Sequence, residues 1–230
     1  MMKYSDIKIL YEDNHLLVVI KPENVLSQAD ITNDLDMLTL LKEYIRVSKN
    51  KPGNVYLGLV QRLDRRVGGV MVFAKTSKAA SRLSEDIRNH NFSKTYLAVV
   101  LGKIENNGVL IHNLKKDNLK AIDSLDGKES RLEYEVIDSF MLDNKEFSAL
   151  KINLITGRYN QIRLQLSLIN HPIIDDFKYG YRGKNYNDAL GLFCYKIKFN
   201  HPVTKEEMEF SYKPDWEFWG LLKGVPNEKI

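Results

Sequence analysis

Short apolar runs bounded by turn residues recur along almost the whole chain, and they do not alternate with helices in the regular way a doubly wound parallel sheet requires. "KIL" at 8–10 and "LLVVI" at 16–20 flank the turn "EDNH". "VMVFA" follows at 70–74 and "KTYLAVVLG" at 94–102. "GVLIHNL" comes after the turn-rich stretch 105–108, and 131–140 with 147–155 reads as a hairpin about "LDNKE". "LGLFCYKIKF" and "EMEFSY" complete the strand candidates. Only three windows are helical. In 36–47, Leu38, Leu41 and Ile45 share a face behind a possible Asp36 cap; in "TSKAASRLSEDIRNH", Ser77 can cap and Ala80, Leu83 and Ile87 fall at helical spacing. After a turn at Gly157, a short helix contains Ile162, Leu166 and Ile169, with Arg163 in its opening turns. The pattern predicts an α+β domain: a largely antiparallel mixed sheet with flanking helices and loops.

At 230 residues, 43% hydrophobic and 28% charged, the chain can bury a sizeable core. The six prolines are scattered and no repeat or low-complexity stretch marks a linker, so residues 1–230 are expected to form a single domain. The 34 basic residues against 30 acidic leave +4, a mild lean toward polyanionic partners. One cysteine, Cys194, excludes an internal disulfide, and the N-terminal stretch lacks the apolar core of a secretory signal. A reducing, cytoplasmic setting is expected. No apolar run is long enough to cross a bilayer as a helix. The five histidines show no metal-ligand spacing, and no glycine-containing stretch fits a phosphate loop, so neither a metal nor a nucleotide cofactor is expected. His171 and His201 each precede a proline, where a backbone-bonded turn imidazole is the expected arrangement.

The stretch "LVQRLDRRVGGVMVFAKT", 59–76, sets one carboxylate, Asp64, among Arg62, Arg65 and Arg66, just before two glycines that permit a tight turn and a buried strand. Loops on rigid elements often carry chemistry, yet an aspartate among arginines taken alone reads as a solvated turn with a surface ion pair. A second segment, "LITGRYNQIRLQLSLINHPIIDDFKYG" at 154–180, changes that reading.

Together these stretches resemble the RluA family of pseudouridine synthases over most of the chain. The first motif, "QRLDRRVGGVMVFAKT", corresponds to that family's His-Arg-Leu-Asp segment. Lys94-Thr95-Tyr96 matches its Lys-x-Tyr, and "TGRYNQIR", "NHPII" and "DDFKYG" match its third block. Lys21-Pro22 and the late "FNHP" fit as well. The resemblance implies the pseudouridine synthase fold with an active-site cleft across the sheet, and conversion of uridine in ribosomal or transfer RNA to pseudouridine without a cofactor. It implies that Asp64 is the catalytic carboxylate, that Arg163 keeps it ionised and oriented, and that the Tyr96 ring stacks on the uracil, with its hydroxyl a candidate for the late proton transfer. Arg62 would bind or flip the nucleotide, and Arg158 and Gln161 would bind substrate. Such chemistry suits these groups, because cleavage of the glycosidic bond develops positive charge at the sugar, and an ionised carboxylate beside C1′ and C2′ can stabilise it, attack, or take a sugar proton.

The chain departs from the motifs at four places: Gln61 stands for the usual histidine, Tyr159-Asn160 for Thr-His, and Asp175 for the glycine before Asp176. These positions bear on target choice and rate. The catalytic resemblance begins near the N-terminus, so RNA recognition is expected from this domain and its loops rather than from a small S4 domain. The polar segment 112–131 reads as a surface loop or an RNA-contacting insertion. A monomer acting on RNA, without membrane or metal, is the expectation. The alternatives are an inactive RNA-binding module or RNA chaperone of the same fold, and a base-excising hydrolase using the same carboxylate.

Overall fold

The strand-dominated expectation is met. The computed structural model describes residues 2–50 and 52–214. In chain order the regular elements are β1 (Ile9–Glu12), β2 (Leu16–Lys21), α1 (Met37–Ser48), β3 (Gly58–Leu59), β4 (Gly68–Ala74), α2 (Ser77–Arg88), β5 (Ser93–Leu101), β6 (Gly108–Asp117), β7 (Lys120–Asp123), β8 (Lys128–Leu142), β9 (Lys145–Leu154), α3 (Gln161–Leu168), β10 (Leu192–Asn200) and β11 (Glu207–Ser211). They fall into two compact units, one comprising the chain up to Ser93 together with Lys196–Tyr212, the other comprising Lys94–Tyr195.

In the first unit β1 and β2 form the expected hairpin, and β2 pairs antiparallel with β4 from Leu16 opposite Ala74 to Lys21 opposite Gly69. Every residue of β2 and β4 is buried, which is why both read as continuous apolar runs rather than alternating ones. The glycines at 68 and 69 do not precede the strand as a turn; they begin it. Gly69 has φ +135°, a conformation only glycine adopts without strain, and it lets the strand start directly behind the Asp64 loop. Asp36 caps α1 by accepting from Thr39 N, and the buried stripe is Met37, Leu40, Leu41 and Ile45, with Leu38 half-buried at its margin. In α2 the cap is Thr76, one residue earlier than expected, accepting from Ala79 N at 3.1 Å; Ala79 and Leu83 are buried, while Ala80 and Ile87 are half-buried. The end of β10 and β11 pair antiparallel, Lys196 opposite Ser211 to Asn200 opposite Glu207.

The second unit is built on an antiparallel sheet in the order β5-β9-β8-β6-β7. Asp143 and Asn144 join β8 to β9 with φ +48° and +60°, the left-handed pair that matches hairpin twist. Segment 112–131 is neither loop nor insertion of irregular chain: most of it belongs to β6, β7 and the start of β8. Sequence periodicity misses β7 because only Ala121 of its four residues is buried. α3 is short and buried along most of its length; Leu164 packs with Leu114, Ala121 and Tyr179, and Ile169 stands just past the helix end. Leu97, Val99, Phe147, Ala149, Ile174, Tyr181 and Tyr195 form the core under β5 and β9. Among the described residues no helix is long and apolar enough to cross a membrane.

Candidate active site

Asp64 lies half-buried in the connection between β3 and β4 of the first unit. Its Oδ1 accepts from Arg66 N at 3.2 Å and its carbonyl from Val67 N at 3.0 Å, so the aspartate closes its own turn. The residues on either side are anchored from beneath. Buried Ser27 accepts from Leu63 N at 3.1 Å and donates to Leu63 O at 2.8 Å. Lys21, fully buried, donates to Arg65 O at 3.1 Å and Pro22 O at 2.8 Å. Two internal side chains thus hold the backbone on both flanks of the carboxylate. Burial brings the Lys21 ammonium down to about 7, against the opposing pull of Glu23 and Asp64. Around this turn, Arg62 is exposed and Arg65 pairs with Asp34 at 2.6 Å on the surface. Gln61 is buried and donates to Val70 O at 3.3 Å, while its Oε1 has no hydrogen-bond partner among the described residues.

The remaining expected residues belong to the second unit. Tyr96 is 6% exposed on β5. Burial pushes its hydroxyl well above its ordinary range, and the adjoining, hydrogen-bonded Cys194 adds to the effect; the phenol is neutral near pH 7. The Cys194 thiol is itself pushed up to about 12 by burial. Burial also lowers Lys94, two residues before Tyr96.

At the start of α3, Gln161 is a buried junction. Its Oε1 accepts from Arg158 N at 3.0 Å and Thr156 Oγ1 at 2.9 Å, and its Nε2 donates to Arg131 O at 3.1 Å and Gln165 Oε1 at 3.0 Å. All of its amide capacity is directed to protein, so it sets the shape of the 156–160 turn that carries exposed Arg158. Arg163, 5% exposed, grips Asp176 with a two-pronged pair, Nε to Oδ2 and Nη2 to Oδ1, both 2.7 Å, and Asp176 is fully buried. The Tyr179 ring lies 4.9 Å from the guanidinium, and its hydroxyl accepts from Asn160 Nδ2 at 3.1 Å and Ala121 N at 2.7 Å. Asp176 and Tyr179 were absent from the expected site. Their signal was the "DDFKYG" block, which carries both.

Like Gln61, the other three motif departures have structural occupations. Asn160 adopts a left-handed backbone with φ +50° and bonds Tyr179. Asp175 also sits at positive φ, +65°, and its two carboxylate oxygens accept from Tyr186 N and Asn187 N, each at 3.0 Å. Tyr159 donates to Leu119 O at 3.2 Å. The two prolyl-preceding histidines are turn residues: His171 Nδ1 lies 2.8 Å from Leu101 O, and His201 Nδ1 accepts from Val203 N and Thr204 N while Nε2 meets Asp13 at 2.9 Å.

Residues 15–168 match the family model described as RNA pseudouridylate synthase. The chain is 30% identical to ribosomal large subunit pseudouridine synthase D of Vibrio vulnificus, covering 88% of this chain and 65% of that protein's length. It is 31% identical to ribosomal large subunit pseudouridine synthase C of Buchnera aphidicola subsp. Baizongia pistaciae, covering 94% of this chain and 70% of that one. In fold it is similar to human RNA pseudouridylate synthase domain containing 4, with a TM-score of 0.75 and 22% identity over 93% of this chain and 91% of that one. Human RNA pseudouridylate synthase domain containing 1 gives the same TM-score, 0.75, at 18% identity over 93% and 86%. With the family model spanning most of the chain and carrying the motifs around Asp64, Tyr96 and Arg163, the protein belongs to the RNA pseudouridylate synthases, in the RluA family.

Proposed function

We propose that this protein isomerises uridine to pseudouridine in RNA, with ribosomal RNA, the substrate in its relatives' names, ahead of transfer RNA. The N1–C1′ bond breaks, the uracil turns, and C5 bonds to C1′; the C5 proton is lost and N1 gains one, so the reaction needs no cofactor, metal or redox partner. Asp64 acts at the ribose, at C1′ or C2′. Tyr96 stacks on the uracil, a role favoured over that of a base by its neutral phenol. Arg163 is the ionic partner that keeps the carboxylate oriented, Arg62 binds or flips the nucleotide, and Arg158 contacts phosphate. Gln161 serves substrate binding through the turn it holds. The two units work as one catalytic domain, monomeric and cytoplasmic.

The observation that carries this reading is the Asp64 turn. Buried Ser27 and Lys21 hold the backbone on each side of an otherwise ordinary loop aspartate. That is the support a reacting carboxylate needs, since misplacement by about an ångström can cost 10²-fold in rate.

The test is single-turnover tritium release from RNA carrying 5-tritiated uridine. Asp64→Asn keeps size and removes charge; it is expected to abolish release while leaving RNA affinity nearly unchanged. Release by Asp64→Asn near the parent rate refutes the assignment. A parent that binds RNA but releases no tritium is the inactive module, and free uracil with an abasic site identifies the hydrolase.

A further inference from the structure

We infer that the second unit carries a second RNA contact, in a groove between the β6–β8 strands and the 157–159 turn: Tyr159 stacks on an unpaired base near the target uridine, and Lys116, Lys128 and Arg158 hold neighbouring phosphates. This deepens the synthase reading, on which it rests for the identity of the RNA.

The groove has a volume of about 370 Å³, at the lower end of the range for small-ligand sites, which suits one nucleotide rather than a duplex. Its lining carries Lys115, Lys116, Lys128 and Arg158 against one carboxylate, Asp126. That carboxylate is already taken by Lys115 and Ser124 Oγ. Lys116, Lys128 and Arg158 have no carboxylate partner among the described residues, so the groove is a cationic concavity. Gly127 makes one wall possible: a Cβ there would meet Asn113 O at 2.5 Å, so only glycine allows the 124–127 turn to lie this close against β6.

Tyr159 is 40% exposed at the edge of this groove. Its hydroxyl is fixed to Leu119 O, which also accepts from Lys178, so the ring is held in place instead of swinging. Lys116 and Lys178 ammonium groups lie 5.0 and 5.9 Å from its centroid. The attraction of such ammonium groups to an exposed ring is weak; a base arriving with its phosphates offers the ring a stacking partner and Lys116 a full negative charge. The resembled motif has threonine here, which can tether a turn but offers no face for a base.

The experiment uses the full chain carrying Asp64→Asn, so that binding is read without turnover. The probes are fluorescein-labelled rU10 and an abasic ribose-phosphate decamer, followed by anisotropy across a salt series. Tyr159→Ala is expected to weaken rU10 roughly tenfold or more and leave the abasic decamer unchanged. Tyr159→Phe keeps the ring but loses the tether, so it is expected to weaken rU10 far less than Tyr159→Ala does. Lys116→Gln with Lys128→Gln is expected to reduce the slope of log affinity against log salt for both probes, by about 0.7 per lost phosphate contact. Should Tyr159→Ala not fold, Tyr159→Leu fills the volume without a π face and is read in the same way. The proposal is overturned if the folded Ala or Leu variant binds rU10 within twofold of the parent, if Phe fails as Ala does, or if the lysine variant keeps the parent's slope. Failure of the synthase reading looks different: the parent then releases no tritium, whatever these affinities are.

Discussion

Arg163 and Asp176 form a pair in which both charges are out of water, 6% and 0% exposed, so each offsets part of the other's desolvation. Removing one partner of such a buried pair costs about 3–5 kcal/mol. Arg163→Ala is therefore expected to lower the urea unfolding midpoint sharply, and Asp176→Ala to do the same. Arg163→Lys keeps the charge but loses the planar fork, so its loss is smaller. Equal midpoints for parent and Arg163→Ala would show the pair to be energetically idle. Activity of these variants has to be compared at equal folded fraction, because a loss of synthase activity by Arg163→Ala mixes catalysis with stability. The motif made Arg163 legible in the sequence, but not this partner. Asp176 is 13 residues away, beyond the left-handed turn at Asp175, and no helical or strand periodicity links such positions. Gln161 was legible as a motif residue, yet its inward aim depends on Arg131, which β8 brings to it from 30 residues earlier in the chain.

The connection from β3 to β4 shows how an element can be tuned by a residue outside it. Lys21, at the end of β2, is buried beneath it with a pKa of about 7 instead of 10.5. The unfolded lysine keeps its proton up to about 10.5 while the folded one releases it near 7, so between these values the unfolded state binds more protons and rising pH favours the folded state. Below pH 7 both forms are protonated and the penalty is constant. Stability of the parent relative to Lys21→Met is thus expected to climb between pH 7 and 10, by up to about 1.4 kcal/mol per pH unit, measured as urea midpoints of the two proteins at each pH. Parallel curves would refute a buried, titrating lysine. Among the elements, β8 and β9 were legible because alternation and an Asp-Asn turn agree. β7 was not, because its place comes from pairing with β6 (Lys115 opposite Ile122, Lys116 opposite Ala121) and scarcely from its own burial.

At the scale of the molecule, the first unit draws on two distant stretches of chain. Residues 196–212 supply β11, the Phe199 ring stacked on Phe92 at 5.2 Å, the Phe210 ring beside Tyr11 at 5.6 Å, the His201 contact to Asp13, and the Pro202 carbonyl that accepts from Arg82 at 2.6 Å. A fragment of residues 1–93 lacks all of these and is expected to be largely unfolded, with few dispersed amide signals in a proton–nitrogen NMR spectrum. A well-dispersed spectrum from that fragment would refute the interdependence. The late "FNHP" was legible only as a motif; that it returns to the first unit, and its partners on the β1–β2 hairpin and on α2, depend on the folded chain.

Cys194 is buried and its thiol is held near 12, so the chain has no reactive native sulfur at working pH. The protein is consequently a clean background for site-directed labelling: a cysteine introduced at the fully exposed Leu125, in the turn beside the cationic groove, would be the single place for a maleimide dye to attach, and its emission would report RNA arriving there without any native residue having to be removed first.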